Sequence, residues 1–314
     1  MVAEIAITGV GMVTPLGADA VSSSSAWHAG ESAQKEAIAG LDQTRLAGSC
    51  AARLPHFDPA ARLGSRRMIK YMSDAALLGC LAAHEAIEAA QLKRRIAPER
   101  IGLFAATGLA AASVDDVIPM LSRSIEADGA FSCRLFGEKG LAAANPLLSF
   151  KILANMPPCL VSIIEAVKGP NLIFNPWEGQ TGAAFLEAWY AVADGMIDAA
   201  VVGAADNPAH AATFVYLRSA GLLAASEFPA AAAGYVVLER AELARSSGQT
   251  IRAILERPEL RPSAEVADPL AQRIGRTFAA APAVLMALTS YSGGAISVSG
   301  VDHQCFTGTL RLPT

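Results

Sequence analysis

The stretch Gly169-Pro-Asn-Leu-Ile-Phe-Asn-Pro-Trp-Glu-Gly-Gln-Thr-Gly182 predicts a strand, a tight bend and a helix in immediate succession. Residues 171–174 form a short apolar run between Gly-Pro and Asn-Pro, which is the pattern of a buried strand between two turns. Apolar residues then recur at helical spacing from Gly179 to about Asp194, where the following glycine can cap the helix. We therefore expect a strand–elbow–helix unit with Trp177 and Glu178 at the bend.

The bend places Glu178 beside the unpaired N–H groups of a helix start, from which a side chain reaches solvent or a pocket. Enzymes carry nucleophiles at such bends, so Glu178 is a candidate for a role in chemistry. The helix dipole stabilises a carboxylate at this position by roughly 0.3–1 kcal/mol. This effect lowers the pKa of the carboxyl group and favours a structural anion over a general acid.

Strands and helices alternate on both sides of this unit. Strand patterns are present at residues 199–203 and 231–239, and the pattern of residues 66–92 predicts one long helix. Towards the end of the chain the signal is weaker, and it indicates a helix over residues 270–278 and a strand over residues 284–288. The alternation favours a layered α/β architecture.

Bulk composition excludes several functional classes. Apolar residues make up 53% of the 314 residues and charged residues 17%, with a net charge of -4, so nothing indicates a nucleic-acid partner. No run reaches the ~18 apolar residues of a membrane span, and the first residues lack signal-peptide features, so we expect a cytoplasmic protein. The five cysteines have no CxxC spacing, which argues against a zinc site or a disulfide framework. Thr14-Pro15 breaks the dinucleotide fingerprint, and neither a cofactor nor a metal is expected.

Five short motifs, in register along the first 245 residues, resemble those of the β-ketoacyl-acyl-carrier-protein synthases of the thiolase superfamily. They are Ile7-Thr-Gly-Val-Gly-Met-Val-Thr-Pro-Leu-Gly17, Pro98-Glu-Arg-Ile-Gly102, Asn155-Met156, Lys168-Gly-Pro-Asn171 and Ala200-Val-Val-Gly-Ala204. The resemblance implies a thiolase-like layered αβαβα fold with a truncated second half. Residues 1–245 would form a ketosynthase-like N-terminal part, and residues 246–314 a shortened C-terminal part that completes the fold. Ser290-Tyr-Ser-Gly-Gly294 looks like a degraded form of the family's final glycine-rich turn.

The resemblance ends at the residues that carry the family's chemistry. In that family the elbow carries a cysteine that takes the growing acyl chain, and counting from Gly169 its position is occupied by Glu178, which cannot form a thioester. The family also uses two histidines and a lysine later in the chain. Here all six lysines precede Gly169, and His210 and His303 lie outside the family's histidine motifs. The sequence is therefore similar to the chain-length factors, the non-condensing partners of active ketosynthases, and no residue is assigned as catalytic.

By this resemblance the protein forms a heterodimer with an active ketosynthase and helps to shape the acyl tunnel in type II polyketide, aryl polyene or fatty-acid-like biosynthesis. The ketosynthase is expected to contact the strand before the elbow and its flank, at Asn171, Leu172, Ile173, Phe174, Asn175 and Trp177. Apolar residues that would reach the tunnel, or else pack in the core, are Leu147, Leu148 and Phe150. The family's basic patch for docking the acyl carrier protein (ACP) corresponds to Arg62, Arg66, Arg67 and Lys70.

Two other functions stay open on the sequence alone. Glu178 could assist the decarboxylation of malonyl-ACP as an acid, a base or an electrostatic aid. Alternatively, the chain could be a homodimeric scaffold or ACP-binding module that relies on the basic patch.

Overall fold

The computed structural model describes residues 3–42, 44–64, 66–110 and 114–313 of the chain. Its strands are β1 (Ile5–Val13), β2 (Lys35–Ala37), β3 (Cys50–Ala52), β4 (Ile101–Thr107), β5 (Asn171–Phe174), β6 (Ala199–Asp206), β7 (Ala232–Arg240), β8 (Ala253–Leu255), β9 (Glu259–Pro262), β10 (Gly294–Ser299) and β11 (Gln304–Arg311). Its helices are α1 (Ala20–His28), α2 (Pro59–Leu63), α3 (Arg66–Ile69), α4 (Asp74–Ala89), α5 (Leu92–Arg95), α6 (Val114–Ser122), α7 (Cys133–Leu135), α8 (Leu148–Ile152), α9 (Met156–Glu165), α10 (Glu178–Ala193), α11 (Ala211–Ser219), α12 (Ala241–Ser246) and α13 (Ala281–Thr289). Among these described helices, none has both the length and the apolar character that crossing a bilayer requires.

One hydrogen-bonded sheet runs through both parts of the chain, in the order β10-β11-β8-β1-β7-β6-β4-β5, with β9 paired to β11. Strand β4 is parallel to β5 and to β6, and the other pairs in this sheet are antiparallel. Strand β1 joins the two parts, because it pairs with β7 along its length and with β8 at residues 5–7. Strand β5 ends the sheet beyond β4, so the elbow follows directly on an edge strand.

The elements stack in four layers. Helices α4 and α9 pack on one face of β4 and β6, and α10 and α13 pack on the opposite face. Strands β9, β10 and β11 then cover the far side of α10 and α13, where Phe306 of β11 stacks on Phe185 of α10. The layered α/β architecture implied by the resemblance is confirmed. Within the described residues, the outer face of β10 and β11 is not covered by a helix, and side chains such as Ser297 and Thr309 are exposed there.

Small residues bring α4 and β1 close together. A Cβ atom at Gly11 of β1 would lie 2.0 Å from the carbonyl oxygen of Ala82 in α4, so a larger residue would push the helix away. The neighbouring alanines of α4, Ala82, Ala83 and Ala86, are completely buried. This close contact between helix and strand accounts for part of the alanine-rich composition.

Three predictions about individual elements were wrong. The long helix expected from residue 66 is interrupted, because the hydroxyl of Ser73 accepts a hydrogen bond from the N–H of Ala76 and caps α4 as a new helix. Residues 270–278 form turns rather than a helix. Residues 284–288 lie inside α13 rather than in a strand, since α13 is buried on nearly every side and lacks the apolar periodicity by which a helix is recognised.

Candidate functional site

The strand–elbow–helix unit predicted from the sequence is present. Strand β5 is followed by a cis Asn175–Pro176 peptide bond, and Trp177 is the N-cap residue of α10. Glu178 is the first residue of α10. Its side chain does not reach solvent or a pocket as expected, because the residue is only 1% exposed. The bend therefore holds a carboxyl group inside the protein.

The Glu178 carboxyl group is held by residues from the C-terminal part of the chain. Its Oε1 lies 3.2 Å from Nη2 of Arg276, and its Oε2 accepts a hydrogen bond of 3.3 Å from the N–H of Val301. The turn between β10 and β11 packs directly on the elbow: a Cβ atom at Gly300 would lie 2.7 Å from Cβ of Glu178. In the same turn, Asp302 accepts a hydrogen bond from the N–H of Gly179.

The turn that packs on the elbow is thus residues 300–303, which is a different turn from Ser290-Tyr-Ser-Gly-Gly294, the one that resembles the family's final glycine-rich turn. The turn at residues 290–294 joins α13 to β10 and packs against Leu312 and Thr289. Both turns contain glycine, so composition alone does not distinguish them. The pairing of β10 with β11 decides which one lies over α10.

Arg276 is the centre of a buried charge cluster. Its guanidinium group contacts three carboxylates, with Nη2 near Glu178, Nη1 3.1 Å from Glu227 and Nε 3.4 Å from Asp268. It also lies over the ring of Phe278, 4.7 Å from the centroid, and the residue is 4% exposed. One positive charge therefore faces three acidic groups, an imbalance that favours protonation of at least one of them.

The pKa values of the buried carboxyl groups are raised, in the direction that this charge imbalance predicts. Burial raises the pKa of Glu178 to about 7, against the opposing effects of its own backbone N–H and of Arg276. Burial likewise raises the pKa of Asp268 to about 6 and that of Asp206 well above its ordinary value. The prediction that the helix dipole lowers the pKa of Glu178 was wrong, because the loss of solvent outweighs the dipole at this depth.

The elbow, residues 175–179, contains neither a cysteine nor a serine. Its carboxyl group, that of Glu178, lies inside an ion cluster. The nearest hydroxyl along α10, that of Thr181, donates a hydrogen bond of 2.6 Å to the carbonyl oxygen of Ala279. The arrangement can stabilise the elbow and exchange a proton, and it cannot form a thioester.

The sequence analysis did not identify Arg276 or Asp268, because in the second half of the chain it considered only histidines and lysines. Gly275 is the only glycine in the sequence that is followed by a basic residue. A search for glycine followed by any basic residue would have found Arg276. Glu227 and Asp268 carry no comparable signal, since they come from separate loops.

Only some residues of the predicted partner surface are exposed in the structure. Asn171, Leu172 and Ile173 are exposed on the edge strand β5. Phe174 packs against the core, and Trp177 packs against Phe278 with ring centroids 6.2 Å apart. Asn175 is exposed, with its side-chain amide 3.4 Å from the carbonyl oxygen of Gly108.

The tunnel candidates lie on the surface next to this edge. Leu147 and Leu148 are half-buried, and Phe150 in α8 is 40% exposed. The ring of Phe150 meets that of Tyr71 edge-on at 5.5 Å. These side chains are not fully buried, and they line neither of the two cavities to which Asn207 and His210 contribute.

The predicted docking patch contains one residue with a structural role. Arg62 donates to the carbonyl oxygen of Ala18 and lies 3.7 Å from Glu85. Arg66, Arg67 and Lys70 are exposed on and just after α3. Three of the four basic side chains are therefore available to a partner.

One group of side chains has the spacing of metal ligands. Ligand atoms of His84, Glu88 and Glu165 lie within 4.8 Å of one another. However, Nζ of Lys93 lies 2.6 Å from Oε2 of Glu165 and supplies the positive charge there. The pKa of His84 is raised by its hydrogen bond to Glu165. These residues form an ion-pair cluster between α4 and α9 rather than a metal centre.

Comparison with known proteins agrees with the fold. The sequence model of the β-ketoacyl synthase N-terminal domain matches residues 3–240. No match was found among curated protein sequences. Among solved structures, a β-ketoacyl synthase from Burkholderia phymatum STM815 is 14% identical with a TM-score of 0.80, over 99% of this chain and 100% of that chain.

Two further structures come from polyketide synthases or name a chain length factor. The ishigamide ketosynthase/chain length factor is 15% identical with a TM-score of 0.77. The AntDE:AntF complex, a type II polyketide synthase acyl-carrier protein with its ketosynthase bound to the hexaketide, is 14% identical with a TM-score of 0.77. Both alignments cover 100% of this chain and of the other. The TM-scores show that these structures share the fold of this chain. Since the family model covers residues 3–240 of the 314, the chain belongs to the β-ketoacyl synthase family.

Proposed function

We propose that this protein is a non-condensing, ketosynthase-like subunit of the chain-length-factor type, which pairs with an active β-ketoacyl-ACP synthase. The observation that carries the proposal is the buried pair of Glu178 and Arg276 at the elbow. By the resemblance, the position at which the family forms its acyl thioester is occupied by this buried ion pair. A subunit built in this way acts through a partner, in type II polyketide, aryl polyene or fatty-acid-like biosynthesis.

The surface around β5 supports pairing. Large apolar side chains that are at least partly exposed concentrate in the segment that leads to this edge strand: Ile118, Leu121, Ile125, Phe131, Leu141, Phe150, Ile152, Leu153, Ile163, Leu172 and Ile173. Exposed apolar side chains that form one patch are typical of an interaction surface. Strand β5, which ends the sheet among the described residues, offers backbone N–H and C=O groups to a strand of the partner. In the assembly that we propose, Leu147, Leu148 and Phe150 face the partner's acyl tunnel.

The alternative in which Glu178 takes part in decarboxylation needs contact with a substrate. Its pKa of about 7 suits proton exchange, but its side chain is buried and lines none of the cavities near Thr107, Glu36 or Glu88 among the described residues. We therefore give it a structural role. An ACP-docking role for Arg66, Arg67 and Lys70 is compatible with the paired subunit and does not compete with it.

Co-expression with a candidate partner ketosynthase from the same organism, followed by size-exclusion chromatography, tests the pairing. A stable heterodimer is expected, and Ile173→Asp should abolish it because the charge would enter an apolar interface. Met196→Asp is the matched control, since Met196 is 65% exposed in the turn between α10 and β6. A soluble homodimer that ignores the ketosynthase would contradict the proposal.

The activity of the assembled complex tests the role of the elbow. Glu178→Gln and Glu178→Ala should leave condensing activity unchanged if the heterodimer still forms, because the chemistry belongs to the partner. A large loss of activity with assembly intact would support the decarboxylation alternative. Size-exclusion chromatography of each variant with its ketosynthase separates that outcome from failure to assemble.

A further inference from the structure

A small cavity lies at the carboxyl ends of the parallel strands β4 and β6, apart from the Glu178 cluster. Its volume is about 100 Å³, roughly the volume of three water molecules in the liquid at about 30 Å³ each. Its polar walls include Thr107, Asn207, His210, Thr213, Asp116 and Lys151, and apolar residues such as Met72, Leu109, Leu153 and Pro157 complete the lining. These polar residues come from the end of β4, the loop after β6, the first turn of α11, and α6 and α8.

The walls contain four buried polar atoms that have no hydrogen-bond partner among the described residues. They are Oγ1 of Thr107, Oδ1 of Asn207, Nδ1 of His210 and Oγ1 of Thr213. Thr107 is 4% exposed and Thr213 is 5% exposed. Native proteins leave few buried polar groups unpaired. Four such groups around one cavity indicate a site that is completed by a bound molecule.

The charged and polar residues that line the cavity indicate which kind of molecule can bind there. Nζ of Lys151 lies 2.8 Å from Oδ2 of Asp116, so the lysine is already neutralised. The side-chain amide of Asn207 donates to Asp74, which leaves Oδ1 as an acceptor towards the cavity. Burial lowers the pKa of His210 and keeps its ring neutral. Among the described residues that line the cavity, no cationic side chain is left without a counter-charge, and the carboxylates of Asp74 and Asp116 would repel an anion.

An alkyl chain fits this cavity no better than an anion does. It would cover the four polar atoms without offering hydrogen bonds, and each buried unsatisfied group is costly. A hydroxyl group can both donate and accept, so it suits the threonine hydroxyls as well as the Asn207 carbonyl oxygen. Asn207 and His210 also line a wider neighbouring cavity of about 590 Å³. That wider cavity offers a route to the small one.

We propose that the cavity binds a small neutral polyol, a molecule of the size of glycerol with several hydroxyl groups. Thr107 and Thr213 each exchange a hydrogen bond with it, and Asn207 Oδ1 accepts one. The site does not depend on the pairing with a ketosynthase. The polar atoms make one side of this cavity a binding site for hydroxyl groups.

Ligand-observed NMR and thermal unfolding of the full chain test the proposal, with glycerol, erythritol, acetamide and butyrate as probes. Erythritol and glycerol should bind saturably, and Thr107→Val or Thr213→Val should each weaken that binding by about tenfold. Both variants should also raise Tm without ligand, since each removes an unpaired buried hydroxyl. Thr213→Ser keeps the hydroxyl and should keep the affinity.

Thr277→Val is the matched control, because Oγ1 of Thr277 is also buried and unpaired but lies outside the cavity. It should raise Tm and leave polyol binding unchanged. The proposal is overturned if no polyol binds saturably, or if acetamide or butyrate binds instead. It is also overturned if the cavity variants lower Tm and leave binding unaffected, because the hydroxyls would then be bonded to permanent water.

Discussion

Nη2 of Arg276 lies 3.2 Å from Oε1 of Glu178, and this buried ion pair joins the two parts of the chain at the elbow. Glu178 begins α10, whereas Arg276 belongs to the segment that leads into α13. Val301, from the last turn, donates to the same carboxyl group. The elbow is therefore held from inside by residues that come about 100 positions later in the sequence.

Removing the arginine should destabilise the protein strongly. Arg276→Met leaves Glu178, Glu227 and Asp268 without their shared positive charge, and breaking a buried pair in this way costs about 3–5 kcal/mol. Urea unfolding of wild type and variant measures the difference. The double variant Arg276→Met with Glu178→Gln should recover part of the loss, because it removes one of the uncompensated charges.

Arg134→Met is the control for this experiment. Arg134 also contacts two carboxylates, Glu126 and Glu138, but its side chain is 62% exposed. Exposed ion pairs contribute little to stability, so Arg134→Met should change the free energy of unfolding far less than Arg276→Met does. If Arg276→Met costs no more than Arg134→Met, the buried cluster does not hold the elbow.

The stability of the protein should fall as pH rises through the range in which Glu178 loses its proton. The folded-state pKa of about 7 is above the ordinary value of 4.5, so the folded protein binds this proton more tightly than the unfolded chain. The stabilisation is complete below pH 4.5 and is lost as pH rises to 7. At 1.36 kcal/mol per pKa unit the difference is about 3 kcal/mol. The raised pKa of Asp268 acts in the same direction.

Glu178→Gln should flatten this profile, because glutamine cannot ionise. The free energy of unfolding, measured in urea at pH 5 and at pH 8, should differ by about 3 kcal/mol less in the variant than in wild type. Glu242→Gln, on an exposed position of α12, controls for the loss of one acidic group. An unchanged pH profile in Glu178→Gln would show that the carboxyl group is ionised throughout.

Features that depend on neighbouring residues could be predicted from the sequence, whereas features that depend on residues far apart in the chain could not. Strand β5 and the start of α10 were predicted because Gly169-Pro170 and Asn175-Pro176 punctuate the chain locally. The burial of Glu178 was not predicted, since it depends on Arg276 and Val301 from the other end of the chain. Helix α13 was mistaken for a strand because burial on nearly every side removes the alternation of polar and apolar residues.

The polar cavity is the clearest example of a site without a sequence signal. Thr107 and Asn207 come together only because β4 and β6 are parallel neighbours, with Thr107 paired to Ala205. Neither residue has a distinctive neighbour in the sequence. What identifies them is that their buried polar atoms lack hydrogen-bond partners among the described residues, and only the three-dimensional structure reveals this.

Gly300→Ala should loosen the turn that closes the elbow. The added Cβ atom would lie 2.7 Å from Cβ of Glu178 and 2.5 Å from Oδ1 of Asp302, so the turn would have to move. Overpacking of this kind costs about 1–3 kcal/mol, measurable as a lower midpoint of urea unfolding. Gly137→Ala is the control, since nothing lies within 4 Å of a Cβ atom there. Equal midpoints for the two variants would mean that the turn does not pack on Glu178.

Reversing the exposed charges near α3 should weaken binding of an acyl carrier protein. Arg66, Arg67 and Lys70 are exposed, and we expect the triple substitution to glutamate to lower affinity by more than about tenfold in a titration at low salt. Wild-type affinity should also fall as salt rises from 0.05 to 0.5 M, because exposed charges are screened over a Debye length of about 10 Å at 0.1 M. The triple variant should respond less to salt.

Two controls separate docking from a general effect of charge. Arg257→Glu changes an exposed charge in the loop after β8 and should leave affinity unchanged. Arg62→Gln removes the bond to the carbonyl oxygen of Ala18, and should lower thermal stability more than affinity. If Arg257→Glu weakens binding as much as Arg66→Glu or Arg67→Glu alone does, the carrier protein responds to the overall charge of the protein. The basic residues near α3 are then not its docking site.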